Sequence, residues 1–389
     1  MKAEEFRSHL EETIIPFWNK LKDDEYGGFY GYVEGDGTIK KEEIKGVILN
    51  SRILWFYSQA YIQLQDKTLL DMAEHAYKFL INSCYDNQYG GVFWSVDYKG
   101  NVSDDTKHCY NQAFAIYALS TYYEASKDEN ALACAQKIYE VIEEKCHDEK
   151  GYLEAFHRDF TKAGNDKLSE NGVMADRTMN TLLHVLEAYT QFYKVKPTEE
   201  VKNNLHEILD AFDEKIYNPE LKRCEVFFDD DYNSIIDLES YGHDIEAEWL
   251  INRAVEVLGE KEYAEKMGPM MKGLAEGCYE HSIDWDLGAM NAENEEGRVL
   301  TTKVWWVQAE TVTGFYDAYK NEPDKTKYAE LSEKVWDFIQ KYVVDKKHGE
   351  WVENIEDVNN IDYTQALVQP WKCPYHNGRM CMEMMKRLA

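Results

Sequence analysis

Six copies of a glycine-plus-aromatic signal punctuate this chain of 389 residues, and their spacing restricts the fold more than any other feature. The signal is clearest at Gly27-Gly28-Phe29-Tyr30-Gly31-Tyr32, at Gly90-Gly91-Val92-Phe93-Trp94 and at Gly151-Tyr152-Leu153-Glu154-Ala155-Phe156. Weaker copies follow at Cys224-Glu225-Val226-Phe227-Phe228, around Trp285 to Met290, and at Gly349-Glu350-Trp351-Val352. Successive copies lie about 60 to 70 residues apart, a period typical of repeat architectures with one supersecondary unit per copy. Short apolar runs after glycines read as small hairpins or extended loops.

Each interval has room for two helices. The stretch 328–342 places Tyr328, Leu331, Val335, Phe338, Ile339 and Tyr342 at helical spacing. The stretch 176–194 sets Met179, Leu182, Leu183 and Leu186 on one face, with Asn180, His184, Glu187 and Gln191 as a polar stripe on the other. Helices are predicted near 3–20, 50–64, 67–84, 108–126, 128–146, 176–194, 197–215, 242–257, 260–278, 302–320, 325–343 and 374–387. Such hairpins build either an open solenoid or a closed ring. Alternate helices are apolar nearly all round with one polar stripe, which suits helices lining a cavity. The others carry charged faces, such as Asp128, Glu129, Glu140, Glu143 and Glu144. A solenoid also needs polar end caps, and the closing segment PWKCPYHNGRMCMEMM is not polar. The expectation is an all-α fold: an (α/α)6 barrel of six helical hairpins with short β-hairpin loops at one end. It forms one catalytic domain over 1–389, and the seven prolines are too few to interrupt it.

A formal net charge of −30 repels phosphates, so neither a nucleic acid nor an anionic membrane is an expected partner. The eight cysteines form no C-x-x-C pair and several sit in apolar helical stretches, as reduced core cysteines do. The segment MKAEEFRSHLEETIIPF has no signal-peptide core, and no stretch approaches the roughly 20 apolar residues of a membrane span. A cytoplasmic monomer is expected.

Candidate chemistry gathers at the predicted starts of the inner helices. Arg52 follows Asn50-Ser51, which read as a cap of the first inner helix. Tyr110 and Asn111 open the second, and Asn180 and His184 the third. His243 and Glu246 open the fourth, and Trp305, Trp306 and Glu310 the fifth. Pro374 suits the first position of the sixth, placing His376 in its first turn. In a ring of antiparallel hairpins these starts share one end of the barrel, where free N–H groups favour negative charge. A single histidine at a helix start is usually structural, and His9, His75, His147, His206 and His281 are read so. Three at equivalent starts, beside an arginine and paired tryptophans, point to a site. Only one of Trp305 and Trp306 can face the cavity fully, because adjacent helical residues diverge by about 100°. His243 and Glu246 share a helix face, but no HExxH, cysteine pair or second Glu-x-x-His accompanies them, so no metal is expected. Phosphate loops and a nucleophile elbow are also missing from the sequence.

The same residues lie in motifs resembling the cellobiose 2-epimerases of the N-acylglucosamine 2-epimerase superfamily. These are Ile14-Ile-Pro-Phe-Trp-Asn19, Lys45-Gly-Val-Ile-Leu-Asn-Ser-Arg52, Asn111-Gln-Ala-Phe-Ala-Ile-Tyr117, Ser240-Tyr-Gly-His-Asp-Ile-Glu246, Val304-Trp-Trp-Val-Gln-Ala-Glu310 and Pro370-Trp-Lys-Cys-Pro-Tyr-His-Asn-Gly-Arg379. The resemblance runs from about residue 10 to the C-terminus. It implies an (α/α)6 barrel and cofactor-free, reversible conversion of the reducing-end glucose of β-1,4-linked disaccharides to mannose. It assigns His243 and His376 as acid/base histidines. Arg52, Tyr110, Asn180, His184, Glu246, one of Trp305 and Trp306, and Trp371 become sugar contacts, and Glu310 is placed with them.

That chemistry suits these side chains. Once the sugar ring opens, a base removes the C2 proton and a proton returns to the opposite face; imidazole titrates near neutrality and serves either way. Either two histidines serve the two faces, or rotation about C2–C3 presents both faces to one. Arg52 keeps its charge beside an enediolate oxygen. Glu246 is expected to fix the His243 tautomer or raise its basicity. Asn180 and His184 suit sugar hydroxyls, and Trp371 offers a flat face to the second ring. Rival readings are an aldose–ketose isomerase, a glycoside hydrolase using Glu246 and Glu310 as paired carboxylates, and a non-catalytic sugar-binding protein.

Overall fold

The computed structural model describes residues 1–168 and 172–389, and twelve helices account for most of them. We number them α1 (3–19), α2 (Val47–Leu64), α3 (67–84), α4 (Cys109–Ser126), α5 (129–146), α6 (Met179–Val195), α7 (199–216), α8 (Tyr241–Leu258), α9 (Lys261–His281), α10 (Trp305–Asn321), α11 (326–343) and α12 (His376–Arg387). The even-numbered helices pack side by side, α2 on α4, α4 on α6 and onward until α12 meets α2, which closes the ring. Each odd-numbered helix from α3 to α11 backs the inner helix before it, while α1 backs α12. Five hairpins are therefore contiguous, and the sixth joins the two ends of the sequence.

The expected distribution of polarity holds. On α6 the stripe of His184, Glu187 and Gln191 is buried alongside the leucines, inside the barrel rather than on its surface. The charged faces of α5 and α7 point outward and their apolar stripes pack inward. Helices α1, α3, α5, α7 and α11 share a feature with no signature in residue type. Each contains a five-residue π-helical turn, at Leu10–Ile14, Leu80–Cys84, Ile142–Cys146, Phe212–Ile216 and Ile339–Val343.

Strands of two or three residues occupy the outer-to-inner connections, so all β-structure lies at the end where the inner helices begin. The glycine signals belong here, and a repeated device docks them. A polar side chain in the first turn of an inner helix bonds the backbone of the preceding loop. Asn50 accepts from Phe29 N at 3.1 Å, Gln112 from Val92 N at 2.6 Å, Asp244 from Cys224 N at 2.9 Å and Gln308 from Met290 N at 3.0 Å. Gly91 shows why the position is glycine: φ is +67°, and a Cβ would stand 2.5 Å from Gln112 Oε1. Two expectations are corrected. Asn50-Ser51 do not cap α2, which starts three residues earlier behind Gly46; Asn50 serves the docking instead. Pro374 precedes the cap of α12, and His376 itself is the first helical residue.

The eight cysteines are free; all but half-buried Cys134 lie in the interior. No described helix is long and apolar enough to cross a membrane.

Candidate active site

The convergence expected at the inner-helix starts is present. A cavity of about 290 Å³ opens there, walled by Arg52 of α2, Tyr110 of α4, Asn180 and His184 of α6, His243 and Glu246 of α8, Trp305 and Trp306 of α10, His376 of α12 and Trp371 from the loop before it. Val304, from the motif that carries the tryptophans, and Lys167, Leu168, Glu353 and Gln369, from loops the motifs did not reach, complete the wall. A larger opening of about 860 Å³, bordered by Glu34, Lys347 and His348, contains none of the candidate residues.

Trp306 lies against both histidines, its ring 4.8 Å from His243 and 5.4 Å from His376. It retains partial exposure, whereas Trp305 is 3% exposed and meets His376 edge-on at 5.6 Å. Gly242 admits this arrangement, since a Cβ there would stand 2.7 Å from the Trp306 ring. Trp371 is half-buried and set edge-to-face with Trp94 and Tyr110, which leaves a flat aromatic surface at the mouth.

Arg52 is 2% exposed and faces the cavity without a carboxylate partner among the described residues. Nη2 donates to Tyr110 Oη at 2.7 Å and Nη1 to the Trp371 carbonyl at 3.3 Å, while the guanidinium lies over Phe114 at 4.2 Å and Tyr375 at 4.7 Å. Its Nε is buried with no hydrogen-bond partner among the described residues. A buried cation left without an anion is costly, and its position suits one that arrives with substrate.

The histidines rest on different supports. His376 Nδ1 lies 2.7 Å from Glu310 Oε1, and Glu310 in turn accepts from Trp249 Nε1 at 3.0 Å and Arg379 Nη2 at 2.8 Å. His184 Nδ1 lies 3.0 Å from Glu187 Oε2. Carboxylates accept, so both rings carry hydrogen on Nδ1 and turn Nε2 away from their supports. His243 Nδ1 is 2.7 Å from Ser240 Oγ. Burial holds His243 down to about 4, with Glu246 opposing, and pushes His376 well below the ordinary histidine value. At neutral pH both rings are bare bases.

One role read from the sequence narrows to one of its two alternatives, and another changes. Glu246 does not fix the His243 tautomer, since Ser240 holds Nδ1; its charge raises the basicity of His243, and Oε1 accepts from Arg379. Glu310, placed among the sugar contacts, is absent from the cavity wall and stands behind His376. Arg379, Tyr375 and Ser240 were not singled out, and Glu187 was read only as part of a polar stripe. Arg379 ties Glu187, Glu246 and Glu310 together, all four being 2% exposed or less. It ends a motif quoted above, but its partners are 69 to 192 residues away. Ligand atoms of Glu246, Glu310 and His376 gather within 4.8 Å, close enough for a cation. Arg379 already bonds both carboxylates, and its fixed charge opposes a metal ion there.

Comparison with known proteins decides the lineage. The sequence pattern of N-acylglucosamine 2-epimerases (GlcNAc 2-epimerases) matches residues 28–377. The chain belongs to the N-acylglucosamine 2-epimerase family. Within that family it is 47% identical to a cellobiose 2-epimerase of Ruminococcus albus, over 100% of this chain and 99% of the relative. It is 49% identical to one from Eubacterium cellulosolvens, over 99% and 98%. The solved cellobiose 2-epimerase of Bacillus thermoamylovorans B4167 superposes with a TM-score of 0.94 at 43% identity, covering 99% of both chains. The (α/α)6 architecture and the carbohydrate-epimerase class agree with the reading of the sequence.

Proposed function

We propose that this epimerase-family chain converts the reducing-end glucose of β-1,4-linked disaccharides, cellobiose first among them, reversibly to mannose. The observation that carries the reading is Arg52, a buried cation without a carboxylate partner among the described residues, facing the same cavity as the bare imidazoles of His243 and His376. In the open-chain sugar an imidazole Nε2 takes the C2 proton, and the electron pair of the broken C–H bond moves toward the carbonyl. The resulting enediolate oxygen meets the guanidinium, whose charge is already in place. Returning a proton to the other face of C2 gives the epimer, and ring closure restores the hemiacetal. His184 and Asn180 suit the sugar hydroxyls, and Trp371 suits the second ring.

The glycoside-hydrolase rival loses support because Glu246 and Glu310 are both bonded to Arg379 and neither is poised as a free acid across a glycosidic bond. Incubation with cellobiose in D2O, read by NMR, tests the proposal. The expected product is glucosyl-mannose with deuterium at C2 and the linkage intact, lost in both His243→Ala and His376→Ala. Ketose as the main product assigns isomerisation instead, and free glucose assigns hydrolysis.

A further inference from the structure

Ser240 stands at the N-cap position of α8, where a serine hydroxyl ordinarily accepts a hydrogen bond from one of the first free N–H groups of the helix. Here it makes no such bond. Thr178, at the equivalent position before α6, does cap its helix, accepting from Thr181 N at 3.0 Å. The Ser240 hydroxyl is turned instead to His243 Nδ1 at 2.7 Å. Its backbone is pinned by a strand in which Ser240 pairs with Glu293, and the residue is 8% exposed. A capping bond stabilises its helix, so the diversion gives up helix stability for a contact to the cavity histidine.

We propose that Ser240 is a positioning residue of the epimerisation: its hydroxyl orients the His243 imidazole with Nε2 toward the sugar and supplies a neutral support where His376 has an anionic one. The inference rests on the epimerase reading of the site. The two supports differ chemically. Glu310 only accepts, so it fixes hydrogen on His376 Nδ1 and stabilises that ring once protonated. A hydroxyl donates or accepts and carries no charge. His243 is thus free to hold its hydrogen on Nε2, donating to a sugar oxygen, or on Nδ1, leaving Nε2 bare for the C2 proton. The charged and titratable groups around it are Glu246 on α8, His184 on α6 and His376 on α12, with Arg52 on α2, Tyr110 on α4, and Lys167 and Glu353 sharing the cavity wall. Among the described residues the hydrogen-bond partner of His243 Nδ1 is the Ser240 hydroxyl and none of these groups.

The test compares Ser240→Ala, Ser240→Thr and Ser240→Asp. Ring ¹⁵N NMR of His243 is recorded without substrate, and kcat, KM and the pH profile are measured on cellobiose. Loss of a group that orients a reacting residue typically costs about 10- to 100-fold. Ser240→Ala is expected to lose that much kcat with KM within about twofold, and to shift the His243 ring signals while those of His376 stay in place. Ser240→Thr restores both readouts. Ser240→Asp moves the acid limb of kcat upward by about 1 pH unit or more, as an adjacent carboxylate does. Wild-type kcat and unchanged His243 signals in Ser240→Ala overturn the proposal. So does an unmoved acid limb in Ser240→Asp, which covers the case of an alanine variant that fails to fold. Because the NMR needs no turnover, a wild type inactive on cellobiose refutes the function without touching the Ser240–His243 contact.

Discussion

Replacing Arg379 by methionine isolates the electrostatics of the barrel interior. The guanidinium is 1% exposed, lies between Trp249 at 4.7 Å and Tyr375 at 4.2 Å, and bonds Glu187 at 2.7 Å, Glu310 at 2.8 Å, and Glu246. Methionine fills most of the stem volume, so the perturbation is mainly three carboxylates losing their cation. Breaking a buried pair by removing one partner costs about 3–5 kcal/mol. Unfolding entropy is about 2 cal/mol/K per residue, so in a chain of 389 residues each kcal/mol moves Tm by little more than about 1 °C. The expected loss is about 4–6 °C at pH 8. The sign with pH follows from Glu187, which Arg379 and His184 hold well below the usual carboxylate value against the upward push of burial. A depressed carboxyl contributes stability above its unfolded value of about 4.5, and that contribution is lost as pH falls. The deficit of the variant must therefore shrink between pH 8 and about pH 3.5, below that unfolded value. Adding Glu187→Gln should recover part of it, since one stranded charge is gone. Scanning calorimetry at the two pH values is the assay. A Tm within about 1 °C of wild type at pH 8, or a deficit that does not change with pH, would refute the reasoning.

Two further outcomes are expected. His147 is clamped between Glu143 at 3.0 Å and Glu207 at 2.8 Å; burial lowers its pKa, but the two hydrogen bonds lift it to about 9. Its contribution, up to about 3 kcal/mol, is full below pH 6.5 and lost as pH rises through 9, so His147→Gln should lower Tm at pH 6 and approach the wild type at pH 9.5. Gly91→Ala forces a side chain onto a backbone at φ +67° and against Gln112 Oε1; a loss of about 1–3 kcal/mol is expected in denaturant titration, with Gly297→Ala, where nothing lies within 4 Å, as the milder control.

Much of this molecule could be read before any coordinates. Periodicity found the twelve helices because an inner helix buries every face and an outer one buries a stripe, and both patterns are local. The glycine signals marked the loops because several present backbone to a side chain such as Gln112. The cavity wall followed from the repeat, since equivalent helix starts share one end. Contacts that exist only after closure were less visible. Glu310 has the spacing of a residue on the same helix as Trp306, yet its neighbours Arg379 and His376 arrive from another helix. Ser240 carried no signal of its role, because the choice between capping and bonding His243 is a matter of rotamer. The π-helical turns change a hydrogen-bond register without changing composition.

Helix α1 carries a consequence for synthesis. Its apolar face contributes Phe6 and Trp18, and their partners are late: Phe6 stacks on Trp336 at 4.5 Å, and Trp18 donates to Glu350 at 2.6 Å. At about 5–20 residues per second, the ribosome makes these partners on the order of half a minute after α1 itself. During that interval the apolar face of the first helix lacks these native partners. The growing chain must keep it out of trouble by transient burial or a chaperone, and His376 cannot take its place until the last turn of the ring has emerged.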